Sequence, residues 1–132
     1  MDARATVLVI DDLESLRETT AAILGRAGYQ VLTAGSGAEA LAILRAGAEP
    51  IDLVILDASM PGLTGRQTYA AMRELPQPPR VVFTSGYAAE TLEGLEPNPP
   101  WAFLPKPFDT QALVGTVRAL LGGAPGAQPV RR

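Results

Sequence analysis

The chain has 132 residues, 47% of them apolar and 19% charged, which suits one compact domain with a buried core and leaves little room for a second. Its net charge of −3 and pI of about 4.9, with no basic patch or stripe, argue against direct nucleic-acid binding. The absence of cysteine excludes disulfides and thiolate chemistry, and the absence of histidine excludes Ser-His-Asp triads, histidine metal sites and the commonest general base.

Five short apolar runs mark strands at Thr6–Ile10, Tyr29–Ala34, Leu53–Leu56, Val81–Thr84 and Ala102–Leu104. Four are near-continuous in Val, Ile and Leu, as in strands buried on both faces. After the first run, Leu13, Leu16, Thr20, Ile23 and Leu24 are spaced to share one helical face. Ser36-Gly37-Ala38-Glu39 matches a capping box that introduces a second helix carrying Leu41 and Leu44. Tyr69 and Met72 mark a third, and Ala88–Leu95 reads as a short fourth, stopped by Glu96-Pro97-Asn98-Pro99-Pro100. The last helix has a stripe at Leu113, Val117, Leu120 and Leu121, and the Gly/Pro-rich stretch from Gly122 to Arg132 reads as a frayed tail. No apolar stretch approaches the ~20 residues of a membrane helix, and no secretory signal is visible, so a cytoplasmic protein without membrane contact is expected.

Strict β-α alternation, five times over, implies an α/β fold with a parallel sheet and helices on both faces. With right-handed crossovers, the expected architecture is a flavodoxin-like (βα)5 three-layer sandwich of strand order 2-1-3-4-5. Ligands in such sheets sit at the carboxyl ends of the strands, where the order reverses between strands 1 and 3.

At that edge the sequence puts Asp11 and Asp12 after strand 1, Asp57 after strand 3, Ser85 after strand 4 and Lys106-Pro107 after strand 5. Singly, each has a bland reading: an Asp after a strand is a favoured helix N-cap or turn residue, and Ser and Lys-Pro are ordinary loop residues. Together, three carboxylates, a hydroxyl and an ammonium converge on one cleft. Clustered carboxylates repel, and a hard divalent cation such as Mg²⁺ relieves the repulsion through oxygen ligands. Beside such a cation a carboxylate can act as nucleophile toward phosphorus, with Lys106 and the Ser85 hydroxyl placed to meet the charge that develops on phosphoryl oxygens.

The segments Val7-Leu8-Val9-Ile10-Asp11-Asp12, Leu53-Val54-Ile55-Leu56-Asp57 with Met60-Pro61-Gly62 and Gly65, Phe83-Thr84-Ser85-Gly86-Tyr87 and Phe103-Leu104-Pro105-Lys106-Pro107-Phe108 resemble a response-regulator receiver domain of two-component and phosphorelay signalling. The wording around Phe83–Tyr87 and Phe103–Phe108 is similar to receivers attached to hybrid sensor histidine kinases. The resemblance implies a receiver domain over residues 1–121 followed by a tail over 122–132. It makes Asp57 the phosphoacceptor, with Mg²⁺ held by Asp12 directly, by Asp11 largely through water, by Asp57 and by the backbone carbonyl of Ser59. Lys106 would pair with the phosphoryl group, and its bond to Pro107 is expected to be cis. Ser85 and Phe103 would form the switch, acting on the surface around the helix at 88–95, strand 5 and the last helix.

The phosphoryl donor implied is a histidine kinase or a histidine phosphotransfer protein, in trans or on another part of a longer chain, and the output goes to a downstream protein target. Catalysis would be limited to the domain's own phosphorylation and slow dephosphorylation. Leu13 stands where an acid is frequent in the family, Ser85 replaces the commoner Thr, and the segment Pro97–Trp101 is unusually proline-rich. A phosphatase of the haloacid-dehalogenase type would need a second Asp at position 59, which is Ser59. A flavin or nucleotide binder would want a Gly- or Thr-rich phosphate loop where Asp11-Asp12-Leu13-Glu14 stands. The remaining alternative is a degenerate receiver acting as a phosphorylation-independent interaction module; such domains normally lack one or more of the five residues, and all five are present.

Overall fold

The computed structural model describes residues 5–58, 65–85 and 102–121. Along them run β1 (Thr6–Ile10), α1 (Glu14–Arg26), β2 (Gln30–Ala34), α2 (Gly37–Ala46), β3 (Leu53–Asp57), α3 (Gly65–Arg73), β4 (Arg80–Ser85), β5 (Ala102–Pro105) and α4 (Thr110–Leu121). The five strands form one parallel sheet of order β2-β1-β3-β4-β5, as the alternation required. The helix expected over Ala88–Leu95, the Pro97–Trp101 segment and the tail after Leu121 lie outside the described residues.

Side-chain alternation along the inner strands divides the core in two. Leu8 and Ile10 of β1, Val54 and Leu56 of β3 and Val81 and Phe83 of β4 meet Leu41 of α2 and Tyr69 and Met72 of α3 on one face. On the other face Val7, Val9, Leu53, Ile55 and Val82 meet Leu24 of α1 and Leu113 and Val117 of α4. Each fully buried Leu, Ile or Val contributes roughly 1.5–3 kcal/mol. β1 and β3 are buried along their whole lengths and β4 almost so, whereas β2 at the edge is mostly half-buried. The sheet is therefore anchored through its middle, directly beneath the ends that carry Asp11 and Asp57.

Local chemistry sets the helix ends. The Ser36 hydroxyl accepts the Glu39 N–H at 3.1 Å, and the Glu39 carboxylate reaches back to the Gly35 N–H at 2.9 Å, one residue before the cap itself. At its other end α2 stops on Gly47, whose φ of 66° lies in the left-handed region that glycine adopts without steric cost.

One sequence expectation fails. Leu13 does not share the buried face of α1: it precedes the helix and is 56% exposed. Its N–H is bound by the Asp11 carboxylate at 3.0 Å, which turns the chain before the helical register begins.

Candidate functional site

Strand register puts the polar residues on one edge. Ile10 pairs with Leu56, so Asp11 and Asp57 leave the sheet at the same level on neighbouring strands. Asp57 pairs with Thr84 and Ser85 with Pro105, which carries Ser85 and Lys106 to the same rim. The ladders continue just past the strands, with the Asp11 N–H on the Ala34 carbonyl, the Ala58 N–H on Thr84 and the Lys106 N–H on Ser85, at 2.9–3.1 Å. The backbone under the site is therefore fixed on several strands. Neither Asp11 nor Asp12 is the N-cap of α1, although Asp11 does serve the turn that precedes it through the Leu13 N–H.

Carboxylate oxygens of Asp11, Asp12 and Asp57 all lie within 4.8 Å of one another. Asp11 and Asp57 are 5% and 4% exposed, while Asp12 is exposed. Lys106 Nζ stands between the two buried acids, 3.4 Å from Asp11 Oδ2 and 3.3 Å from Asp57 Oδ2. These separations exceed the ~2.7–2.9 Å of a tight charge-assisted hydrogen bond, so the ammonium is shared between the acids. The bond between Lys106 and Pro107 is cis, as expected from the sequence. Ser85 is buried at the end of β4. Phe103, half-buried, packs against the core beneath α2 and α3, and its register partner Phe83 meets Tyr69 edge to face at 5.4 Å. Burial raises the Tyr69 pKa, with the Arg73 charge acting in the opposite direction.

The donor set fits a hard cation. It consists of oxygens only, and opposite ligands of a Mg²⁺ ion stand roughly 4 Å apart, close to the spread found among these carboxylates. Ser59 lies outside the described residues, as do Met60, Pro61 and Gly62.

Two features support the site from outside the cluster; Arg17 left no trace in the sequence, whereas Gly65 was part of the resemblance without a physical reason attached. Arg17 of α1 donates from Nη1 to the Asp11 carbonyl oxygen at 2.8 Å, and a contact to a backbone atom imposes no motif. Gly65 opens α3 directly against the end of β3: a Cβ there would stand 2.4 Å from Ala58 Cα and 2.7 Å from the Asp57 carbonyl oxygen.

A doubly covered five-stranded parallel sheet with an acid triad and a shared lysine at its switch point defines a receiver-type signalling domain. The family model for the response regulator receiver domain matches residues 7–118, and the chain belongs to that family, a component of two-component systems. It is 33% identical over 122 residues to the sensor kinase CckA of Brucella abortus, covering 92% of this chain and 13% of that protein. Against the transcriptional regulatory protein CpxR of Klebsiella pneumoniae it is 34% identical over 116 residues, covering 87% of this chain and 48% of the regulator. The chain thus spans half or less of the length of these curated relatives. Among solved structures it is similar to the response regulator TrrA of Thermotoga maritima in complex with Mg²⁺-BeF, at 29% identity and a TM-score of 0.76, covering 86% of this chain and 96% of that one. Among the described residues, no helix is long and apolar enough to cross a membrane.

Proposed function

We propose that this receiver domain accepts a phosphoryl group from a phosphohistidine onto Asp57 in a Mg²⁺-dependent reaction. The observation that carries the reading is the setting of Asp57: a buried carboxylate at a strand end, 3.3 Å from an ammonium and within 4.8 Å of two further carboxylates. In the transfer, the N–P bond of the donor imidazole breaks as a bond forms between phosphorus and an Asp57 oxygen. A proton on the other ring nitrogen of the donor, taken up from solvent before or during the transfer, lets the imidazole leave as the neutral base. The chain has no histidine, so the donor group belongs to a histidine kinase or a histidine phosphotransfer protein, or to another part of a longer chain.

Asp11, Asp12 and Asp57, with the Ser59 carbonyl, would hold Mg²⁺, which supplies charge neutralisation on the transferring phosphoryl oxygens. Lys106 turns its ammonium from the acids to the new phosphoryl oxygens, and the Ser85 hydroxyl donates to one of them. Phe103, packed only half-buried, moves inward with Ser85. The pair biases an existing equilibrium at the surface of β5 and α4 toward a form that a downstream protein recognises. Support for the metal comes from the all-oxygen donor set and from a relative of the same fold crystallised with Mg²⁺-BeF.

Intact-protein mass spectrometry after incubation with Mg²⁺ and acetyl phosphate tests the reading. One phosphoryl group on the wild type and none on Asp57→Asn is expected, with both proteins folded. An adduct that persists on Asp57→Asn refutes the assignment of the acceptor.

A further inference from the structure

The acidic pair at the end of β1 is held from behind by a residue outside the cluster. Asp11 uses its Oδ1 to bind the Leu13 N–H and its Oδ2 to meet Lys106, while its carbonyl oxygen takes the Arg17 guanidinium at 2.8 Å. That carbonyl belongs to the peptide plane joining Asp11 to Asp12, so its direction sets where the Asp12 side chain departs. The guanidinium lies beside the neighbouring strand end. A Cβ on Gly35 would come within 3.1 Å of Arg17 Nη1 and 3.8 Å of Glu39 Oε1, so the absence of a side chain at Gly35 leaves the space beside which Arg17 lies. Glu39 in turn binds the Gly35 N–H at 2.9 Å and caps α2 with Ser36. One cation thus ties α1 to the end of β1 and lies beside the end of β2.

We infer that Arg17 is a positioning residue for the metal site, fixing the Asp11–Asp12 peptide so that both carboxylates face the cation. The inference rests on the reading of the acid triad as a Mg²⁺ site. It has a signature that electrostatics alone does not share. Removing a positive charge beside an acidic cluster would strengthen cation binding, whereas releasing the Asp11–Asp12 peptide weakens it. Outer-shell partners of metal ligands typically change affinity about 10–100-fold when removed.

The experiment is Mg²⁺ titration by calorimetry on the full chain for wild type, Arg17→Ala, Arg17→Lys and Gly35→Ala, with amide NMR spectra recorded without metal. Arg17→Ala is expected to bind Mg²⁺ about 10-fold more weakly, with Arg17→Lys recovering part of the loss because an ammonium keeps one donor. Gly35→Ala keeps every charge but crowds the guanidinium, and is expected to weaken binding in the same direction by a smaller factor. The metal-free amide signals of Asp12 and Leu13 should shift in both Arg17→Ala and Gly35→Ala. Affinity for Arg17→Ala that is tighter, or within twofold of wild type, overturns the inference. Should Arg17→Ala fail to fold, Gly35→Ala decides by the same criterion, with unchanged or tighter binding overturning it. Wild type that binds no Mg²⁺ overturns the metal-site reading itself; the metal-free Asp12 and Leu13 signals then decide whether Arg17 sets that peptide.

Discussion

Replacing Gly65 with alanine should separate the requirement for close backbone approach from ordinary helix propensity. The added Cβ would lie 2.4 Å from Ala58 Cα, 2.7 Å from the Asp57 carbonyl oxygen and 2.9 Å from the Ala58 carbonyl carbon. Carbon atoms in contact normally stand about 3.5–4.0 Å apart, so the start of α3 must retreat by roughly 1 Å. All three obstacles are backbone atoms and cannot rotate aside. Overpacking of this kind costs about 1–3 kcal/mol, against a gain of at most ~1 kcal/mol from alanine in a helix. Gly115, inside α4 and exposed, is the control, because a Cβ there meets nothing within 4 Å. Urea unfolding should place Gly65→Ala about 1–2 kcal/mol below wild type and Gly115→Ala about 0.5–1 kcal/mol above it. The displaced atoms belong to Asp57 and the residue after it, so the acetyl phosphate reaction of Gly65→Ala should also slow at temperatures where it remains folded. Equal stability of the two variants, with equal phosphorylation, would refute the reasoning.

Lys106→Met should lower the metal-free melting temperature, because breaking a largely buried ion pair leaves Asp11 and Asp57 facing each other at a cost of about 1–3 kcal/mol. It should also enlarge the rise in melting temperature on adding Mg²⁺, and an unchanged Mg²⁺ response would contradict the shared-counterion role. Burial raises the Tyr69 pKa, so the unfolded chain loses the phenolic proton first as pH rises. That stabilising contribution is complete below the ordinary tyrosine value and is lost as pH climbs through the raised one. Chemical denaturation from pH 9 to 11 should therefore show stability falling, and falling less in Tyr69→Phe; equal slopes would exclude Tyr69 as a source.

How much could be read from the sequence followed from how strongly burial constrains each residue. β1, β3 and β4 announce themselves because both their faces are covered, so their apolar runs are unbroken, and strand order then follows from alternation and handedness. The same rules bring Asp11, Asp57, Ser85 and Lys106 to one rim without any knowledge of side-chain contacts. Leu13 misled because the helical spacing runs on past the start of the helix: the Asp11 carboxylate captures its N–H and the helix starts one residue later, at Glu14. The Ser36 cap was legible, yet the partner of Glu39 is the Gly35 N–H, one residue earlier than the capping-box rule gives. Arg17 stayed hidden because its contact is to a carbonyl oxygen, which every residue possesses.

The charge count at the rim is consistent with a cluster that folds without metal and still suits the proposed divalent cation. Three carboxylates and one ammonium leave a formal charge of −2, which a divalent ion cancels. Lys106 lies at nearly equal distances from Asp11 and Asp57, so it moderates the repulsion between the buried pair without closing tightly on either. An ammonium seated on a single carboxylate at ~2.8 Å would be costly to withdraw. One held loosely between two could be released by the proposed cation and would then be available to the oxygens of a phosphoryl group on Asp57. Exposure follows the same division. Asp12 faces solvent, where the proposed ion would arrive with its waters, whereas Asp57 is 4% exposed beneath the rim, where the proposed phosphoryl group would be shielded. On the proposed function, the lysine would hold the place of the metal before phosphorylation and pair with the phosphoryl group after it.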